Sequence, residues 1–138
     1  MRILVDTNIC LDILQKRPGL YDTSKDALLL ASKKNYKLFI TTATVMDIMY
    51  ITRKYFQDKS IQKSVVQGFI AAFNLLKVSK RNIKYGFSGQ MNDFEDAVQS
   101  DCSKSHFVNL IISRNIKDFI NSPVKAVSPE DFINLYNK

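Results

Sequence analysis

The 138-residue chain is short of the residues on which several common chemistries depend: it has two cysteines, one histidine, four glycines, three prolines and no tryptophan. Cys10 and Cys102 are far apart inside apolar runs, where free thiols pack as small hydrophobes, so no disulfide framework is expected. The lone His106 supports neither a Ser-His-Asp nor a Cys-His nucleophile and no thiolate–imidazole zinc set, and it reads as a loop residue. None of the glycines falls in a GxxxxGK pattern, which argues against a phosphate-cradling loop. No run approaches the ~20 apolar residues of a membrane span. The acid at Asp6 interrupts any signal-peptide start, so a cytoplasmic protein without membrane contact is expected.

What is present is an ordinary globular balance, 46% hydrophobic and 24% charged, at a length that suits one domain over residues 1–138 with one sizeable core. Twenty Lys and Arg against 13 Asp and Glu leave a net charge of +7, which favours a polyanionic partner. Basic groups with interleaved aromatics recur at Lys33–Lys37, Arg53–Phe56 and Lys80–Tyr85. Solvated helix faces are the plainer account of any one of them.

Arg2–Val5 reads as a buried strand that hands over to a helix carrying Ile9, Leu11, Ile13 and Leu14, which Pro18-Gly19 ends. A second helix is predicted from about Thr23 to Lys33, and a second strand over Lys37–Thr41. Helices from Thr42 to about Phe56 and from Ser60 to Leu76 should form a hairpin. Lys80–Phe87 reads as a short helix. Asn92 and Glu95 resemble a capping box opening a helix that runs to about Lys104. Phe107–Ser113 and Val124–Val127 read as further strands, and Ser128-Pro129-Glu130 opens the last helix. Alternating strands and helices predict an α/β domain with a parallel sheet.

Ligands in such sheets bind outside the carboxyl ends of the strands. Asp6 stands at one such end, and Asn115 to Asp118 follow another. Each is equally an ordinary helix cap by this reading. Asp47 sits in a helix that looks apolar on almost every side, where an ionised carboxylate needs either a salt-bridging partner or a metal ion. Asp93 and Asp96 lie three apart on a helix, and the sequence does not decide which points into a cleft. These oxygen donors suit Mg²⁺ or Mn²⁺.

Leu4-Val5-Asp6-Thr7-Asn8-Ile9, Asp47 in the third helix, Asp93-Phe94-Glu95-Asp96-Ala97-Val98-Gln99 and Ile111 to Phe119, taken in this order, resemble the PIN-domain ribonucleases, in particular the VapC-type toxins of bacterial toxin–antitoxin pairs. The resemblance spans nearly the whole chain. It implies a three-layer α/β fold, a central parallel sheet of four to five short strands flanked by helices, and Mg²⁺- or Mn²⁺-dependent hydrolysis of RNA. It assigns catalytic acids to Asp6, Asp47, Asp96, Asp93 and Asp118. Asp47 stands where the family usually has Glu, and Asp96 best matches the third acid, with Asp93 a near-equal candidate. Metal ligands are expected among Asp6, Asp96, Asp93, Asn115 and Asp118. Asn115 stands where Asp is frequent, and that missing charge weakens metal affinity. Asn8, Arg17, Ser113, Arg114 and Lys117 are expected to meet RNA. A homodimer through the Thr42–Leu76 hairpin, with Tyr50, Tyr55, Phe56 and Phe69, and an antitoxin partner presenting a helix and an Arg also follow by analogy. Two alternatives remain: a non-catalytic RNA-binding module of the same fold, and a Mg²⁺-dependent phosphohydrolase of haloacid-dehalogenase type. The latter requires a second Asp where this chain has Asn8.

Overall fold

A computed structural model describes residues 1–138. The β-branched run Arg2–Val5 forms β1, followed by α1 (Thr7–Leu14), α2 (Tyr21–Lys33), β2 (Lys37–Thr41), α3 (Thr42–Thr52), α4 (Lys59–Ile70) and β3 (Asn74–Leu76). Then come α5 (Lys80–Phe87), α6 (Phe94–Ser105), β4 (Leu110–Ile112), a 3₁₀ turn over Ile116–Phe119, β5 (Ala126–Val127) and α7 (Pro129–Tyr136). The five strands make one all-parallel sheet in the order β3-β2-β1-β4-β5. The chain winds outward from β1 in one direction through β2 and β3, then crosses back to β4 and β5. The reversal therefore falls between β1 and β4, where open parallel sheets bind their ligands.

Side chains alternate across each strand, so one strand feeds two cores. Ile3, Val5, Ile40 and Ile112 join α1, α2, α3, α4 and α7 on one face, with Phe132 fully buried among them. Leu4, Phe39 and Ile111 turn to the other face, against Ala97 and Cys102 of α6 and the Phe119 and Val124 side chains. A sheet covered on both faces gives the three-layer architecture expected from sequence. Cys10 and Cys102 are buried free thiols. Gly86 lets α5 press on α6: a Cβ there would stand 2.7 Å from Phe94 and from Val98.

Several predicted boundaries are corrected. The helix expected over Ser60–Leu76 ends at Ile70, and Asn74–Leu76 instead pairs with β2 as an edge strand. Phe73 and Leu76 kept the helical spacing by coincidence, because a three-residue strand is too short to impose its own period. The helix from Thr42 stops at Thr52 rather than Phe56. Phe107 adopts a left-handed φ of 59° and closes a turn, so β4 begins only at Leu110. In the last strand only Ala126 and Val127 are paired. Helix α6 is capped by Asp93, whose carboxylate accepts from the Asp96 amide, and not by Asn92. The capping box belongs to Ser79 and Asn82 at α5.

Candidate active site

Asp6 follows β1 directly and caps α1. Its Oδ1 accepts from the Thr7 amide at 2.7 Å and from Gln99 Nε2 at 3.0 Å, and its Oδ2 accepts from Ser113 Oγ at 2.6 Å. Three donors from β1–α1, α6 and the end of β4 thus hold a carboxylate that is only 4% exposed. Ser113 Oγ in turn accepts from the Asn115 amide at 3.0 Å, tying the exit of β4 to the same point. Asn8 borders this cluster, its Oδ1 accepting from the Arg114 amide at 3.3 Å.

Across the switch point lies the first turn of α6. Asp96 is buried and faces a cleft of about 200 Å³ that Asp6, Asp93, Glu95, Asn115 and Asp118 also line. Asp93 is exposed at its rim, as are Asn115 and Asp118 beside the 3₁₀ turn. Both members of the Asp93/Asp96 pair therefore reach the cleft, Asp96 from inside and Asp93 from the helix cap. Burial, then the charges of Asp6, Asp93, Asp118 and Glu95, push the Asp96 carboxyl up to about 8. Burial and the Asp47, Asp93 and Asp6 charges raise Glu95 as well. None of these carboxylates has a Lys, Arg or His paired with it; the ion pairs of the protein go to Asp12, Asp101 and Glu130.

At these separations no three His, Cys, Asp or Glu side chains form a ready coordination group. The donor set is nonetheless all oxygen, hard and anionic, which is what Mg²⁺ and Mn²⁺ take, and a divalent ion removes the repulsion that the protein leaves uncompensated. In donor chemistry the residues fit such an ion.

Asp47 departs from expectation. Helix α3 is not apolar-buried all round: Met46 is 71% and Tyr50 64% exposed. Asp47 is half-buried without a partner, and burial alone raises its pKa. It lines a second cavity beside the acid cleft rather than the cleft itself, one methylene short of the reach a glutamate would have. Arg114 is also reassigned. Its guanidinium is turned inward, donating to Asp12 Oδ2 at 2.8 Å, Glu130 Oε1 at 2.6 Å, the Leu20 carbonyl, Thr23 and Ser24, with no donor group left pointing at the cleft. Arg17 is half-buried, 3.7 Å from Asp12 Oδ1, and Lys117 is exposed on the 3₁₀ turn.

Sequence reasoning gave no role to Gln99 or Asp12. Gln99 follows Asp96 by three positions and so shares its helix face, which is a usable signal. Asp12 lies in the apolar stretch Ile9–Leu14 and posed the same question of an uncompensated buried acid that was asked of Asp47.

Solved structures share this architecture. VapBC2 from Rickettsia felis, solved bound to a DNA fragment from its promoter, superposes with a TM-score of 0.72 at 20% identity, over 93% of this chain and 98% of that one. A toxin–antitoxin complex from Klebsiella pneumoniae gives 0.70 at 24% identity, covering 92% and 97%. DNA-bound VapBC from Salmonella typhimurium gives 0.70 at 17%, covering 94% and 98%. A comparison with curated proteins finds no match. The sequence model of the PIN domain matches residues 2–117, from the first strand into the 3₁₀ turn beside the cleft, and the chain therefore belongs to the PIN domain family.

Proposed function

We propose that this protein is a Mg²⁺- or Mn²⁺-dependent endoribonuclease, the toxin of a toxin–antitoxin pair in the cytoplasm. The observation that carries this reading is the set Asp6, Asp93, Asp96 and Asp118 around one cleft at the switch point of the sheet, with no cationic side chain among them. Asp6 and Asp96 on the inner wall, with Asp93, Asn115 and Asp118 at the rim, are the residues that would hold the ion. A bound divalent ion supplies positive charge against the scissile phosphate and lowers the pKa of the attacking water. Ser113, Gln99 and the Thr7 amide fix Asp6 while leaving it one lone pair, on Oδ2. Asn8 lines the cleft and Lys117 stands beside it on the 3₁₀ turn; with Arg17 they meet the RNA backbone, a contact that salt weakens.

An antitoxin that covers the cleft with a cationic side chain meets the same uncompensated charge, and the relatives solved as VapBC and toxin–antitoxin complexes support such a partner. A second copy is proposed to pack on the α3–α4 hairpin, where Met46, Tyr50, Ile51, Ile61 and Val65 expose apolar surface. Sedimentation of a dimer at micromolar concentration checks this, and a strict monomer refutes it. No helix is long and apolar enough to cross a membrane.

One further reading has an observation in its favour. The carboxylates form no ready three-ligand group and Asn115 lacks a charge, as in a module that binds RNA without cutting it. Incubation of the protein with a structured RNA and Mn²⁺ separates the two. Cleavage that a chelator stops and that Asp6→Asn lowers at least ~100-fold establishes the nuclease; binding without cleavage establishes the module.

A further inference from the structure

The basic group Lys80–Tyr85 has no part in the chemistry above, yet it lines a groove of about 470 Å³ between α5, the end of α6 and Pro123. Arg81, Lys84, Tyr85 and Ser88 recur at helical spacing along α5, a stripe beside the one by which Asn82 and Gly86 bury against α6. Lys104 joins them from the last turn of α6. The one acid in the wall is Asp101, 4% exposed, whose Oδ2 accepts from Asn82 Nδ2 at 2.8 Å and stands 3.9 Å from Arg81 Nε. Three cations against one carboxylate leave two positive charges over. Lys84 and Lys104 are exposed and make no ion pair, and Arg81 keeps 73% of its side chain in solvent.

The surplus matters because of where the acids stand. Asp6, Asp93, Glu95, Asp96 and Asp118 gather at the cleft, so the cleft by itself repels a phosphate backbone. Positive surface outside the cleft, but within reach of it, offsets that repulsion. Helix α6 provides the link: it starts at the cleft with Asp96 and ends at the groove with Lys104, a separation of about 12 Å along the helix at about 1.5 Å per residue. That is the span of about three to four phosphates of one stacked strand, at about 3.4 Å each. The wall also suits a nucleic acid better than a protein. Apart from Tyr85 and Pro123 it has no apolar side chain, whereas a protein interface needs an apolar core. Phosphates require only charge and donors, which Arg, Lys and the Tyr hydroxyl supply.

We propose that the groove of Arg81, Lys84 and Lys104 is a second RNA-binding surface, which grips the phosphate backbone of a long substrate away from the scissile bond and without regard to base sequence. The proposal goes beyond the reading of the cleft as an RNA-cleaving site and rests on it for the identity of the polyanion.

The test is filter binding of the full chain, in chelator, to a single-stranded RNA of about 16 nucleotides across a salt series. The groove variant Arg81→Gln/Lys84→Gln/Lys104→Gln is compared with Lys33→Gln/Lys34→Gln/Lys37→Gln, an equal change of charge at the opposite edge of the sheet. All six positions are on the surface, and urea unfolding confirms that both variants fold. The groove variant is expected to lose about two units of log–log salt slope, at about 0.7 per phosphate contact, and about tenfold in affinity at low salt. The control is expected to lose less than about half a unit. Equal losses in the two variants overturn the surface. Polyglutamate that displaces the RNA from the parent at equal charge concentration assigns the groove to an acidic protein and overturns it too. In a parallel Mn²⁺ assay the groove variant is expected to raise KM for the long RNA about tenfold and to leave cleavage of a tetranucleotide, too short to reach the groove, as in the parent. An unchanged slope and KM with cleavage intact overturn the surface and leave the nuclease standing. A flattened slope in the groove variant, with no RNA cleaved by the parent, overturns the nuclease and leaves the surface.

Discussion

Helix α1 carries two buried aspartates, one at its cap and one inside it, and the protein treats them oppositely. Asp12, 1% exposed, receives the Arg114 guanidinium at 2.8 Å and the Ser24 hydroxyl at 2.8 Å, and Arg114 continues to Glu130. Asp6 receives only neutral donors and faces Asp96, Asp93 and Asp118 with no cation. A buried carboxylate whose charge is met is structural; one whose charge is left over stays open to a cation. The difference also reverses the response to pH. Asp96 has its pKa raised in the fold, from the ordinary 3.8 to about 8, so the stability linked to it is full below the ordinary value and is lost as pH rises toward 8. Burial pulls Glu130 up, but hydrogen bonds from Arg114, from its own backbone and from Thr23 outweigh it and leave its pKa lowered. Stability from that side is present above the ordinary value and is lost as pH falls.

The largest effect is expected from breaking the paired region. Arg114→Met leaves the buried Asp12 with only the longer pair to Arg17 and is expected to cost about 3–5 kcal/mol in urea unfolding. Asp12→Leu combined with Arg114→Met should recover much of this, because no buried charge is then left uncompensated, Glu130 and Arg17 having side chains 47% and 36% exposed. An Arg114→Met protein as stable as the parent would erase the contrast between the two aspartates.

Next in size is the response of the unpaired region to a cation. At pH 8, Mg²⁺ or Mn²⁺ at a hundredfold excess over its dissociation constant is expected to stabilise the fold by about 2.7 kcal/mol. At pH 5, where Asp96 is protonated, the same concentration stabilises less. Thermal melts at the two pH values, with and without the ion, read this directly. Asp96→Asn is expected to raise the midpoint of the ion-free protein at pH 8 and to shrink the ion's effect there. Ion-induced stabilisation independent of pH would place the metal elsewhere.

The sequence marked this division unevenly. Asp6, Asp96, Asp93 and Asp118 were legible because strand ends and helix starts are local features, and parallel topology gathers strand ends at one edge. Arg114 was misread as a surface cation: its five partners come from α1, α2 and α7, and no local pattern announces that they converge. Asp47 was misread in the opposite sense, because hydropathy cannot tell an apolar face that is buried from one that is exposed, as at Met46 and Tyr50. In the fold, the first two strands, Arg2–Val5 and Lys37–Thr41, fall on the limits read from the sequence, whereas β4 is shorter than expected. Asn74–Leu76 was absorbed into the preceding helix, since only its partner β2 makes it a strand.

The smallest effect sharpens the comparison at the boundary between the two regions. Arg17 is 3.7 Å from the same Asp12, but its side chain is 36% exposed, and Arg114 already meets that carboxylate more closely. Exposed ion pairs contribute little, so Arg17→Ala is expected to change unfolding by less than about 1 kcal/mol. If Arg17 instead serves the RNA backbone beside the cleft, the same substitution lowers the salt dependence of RNA binding by about one unit of slope, with no change in base preference. Filter binding across a salt series measures that slope. A loss of several kcal/mol with the slope intact would move Arg17 into the structural cluster with Arg114, whereas a flattened slope with stability intact puts the border of the working surface between the two arginines.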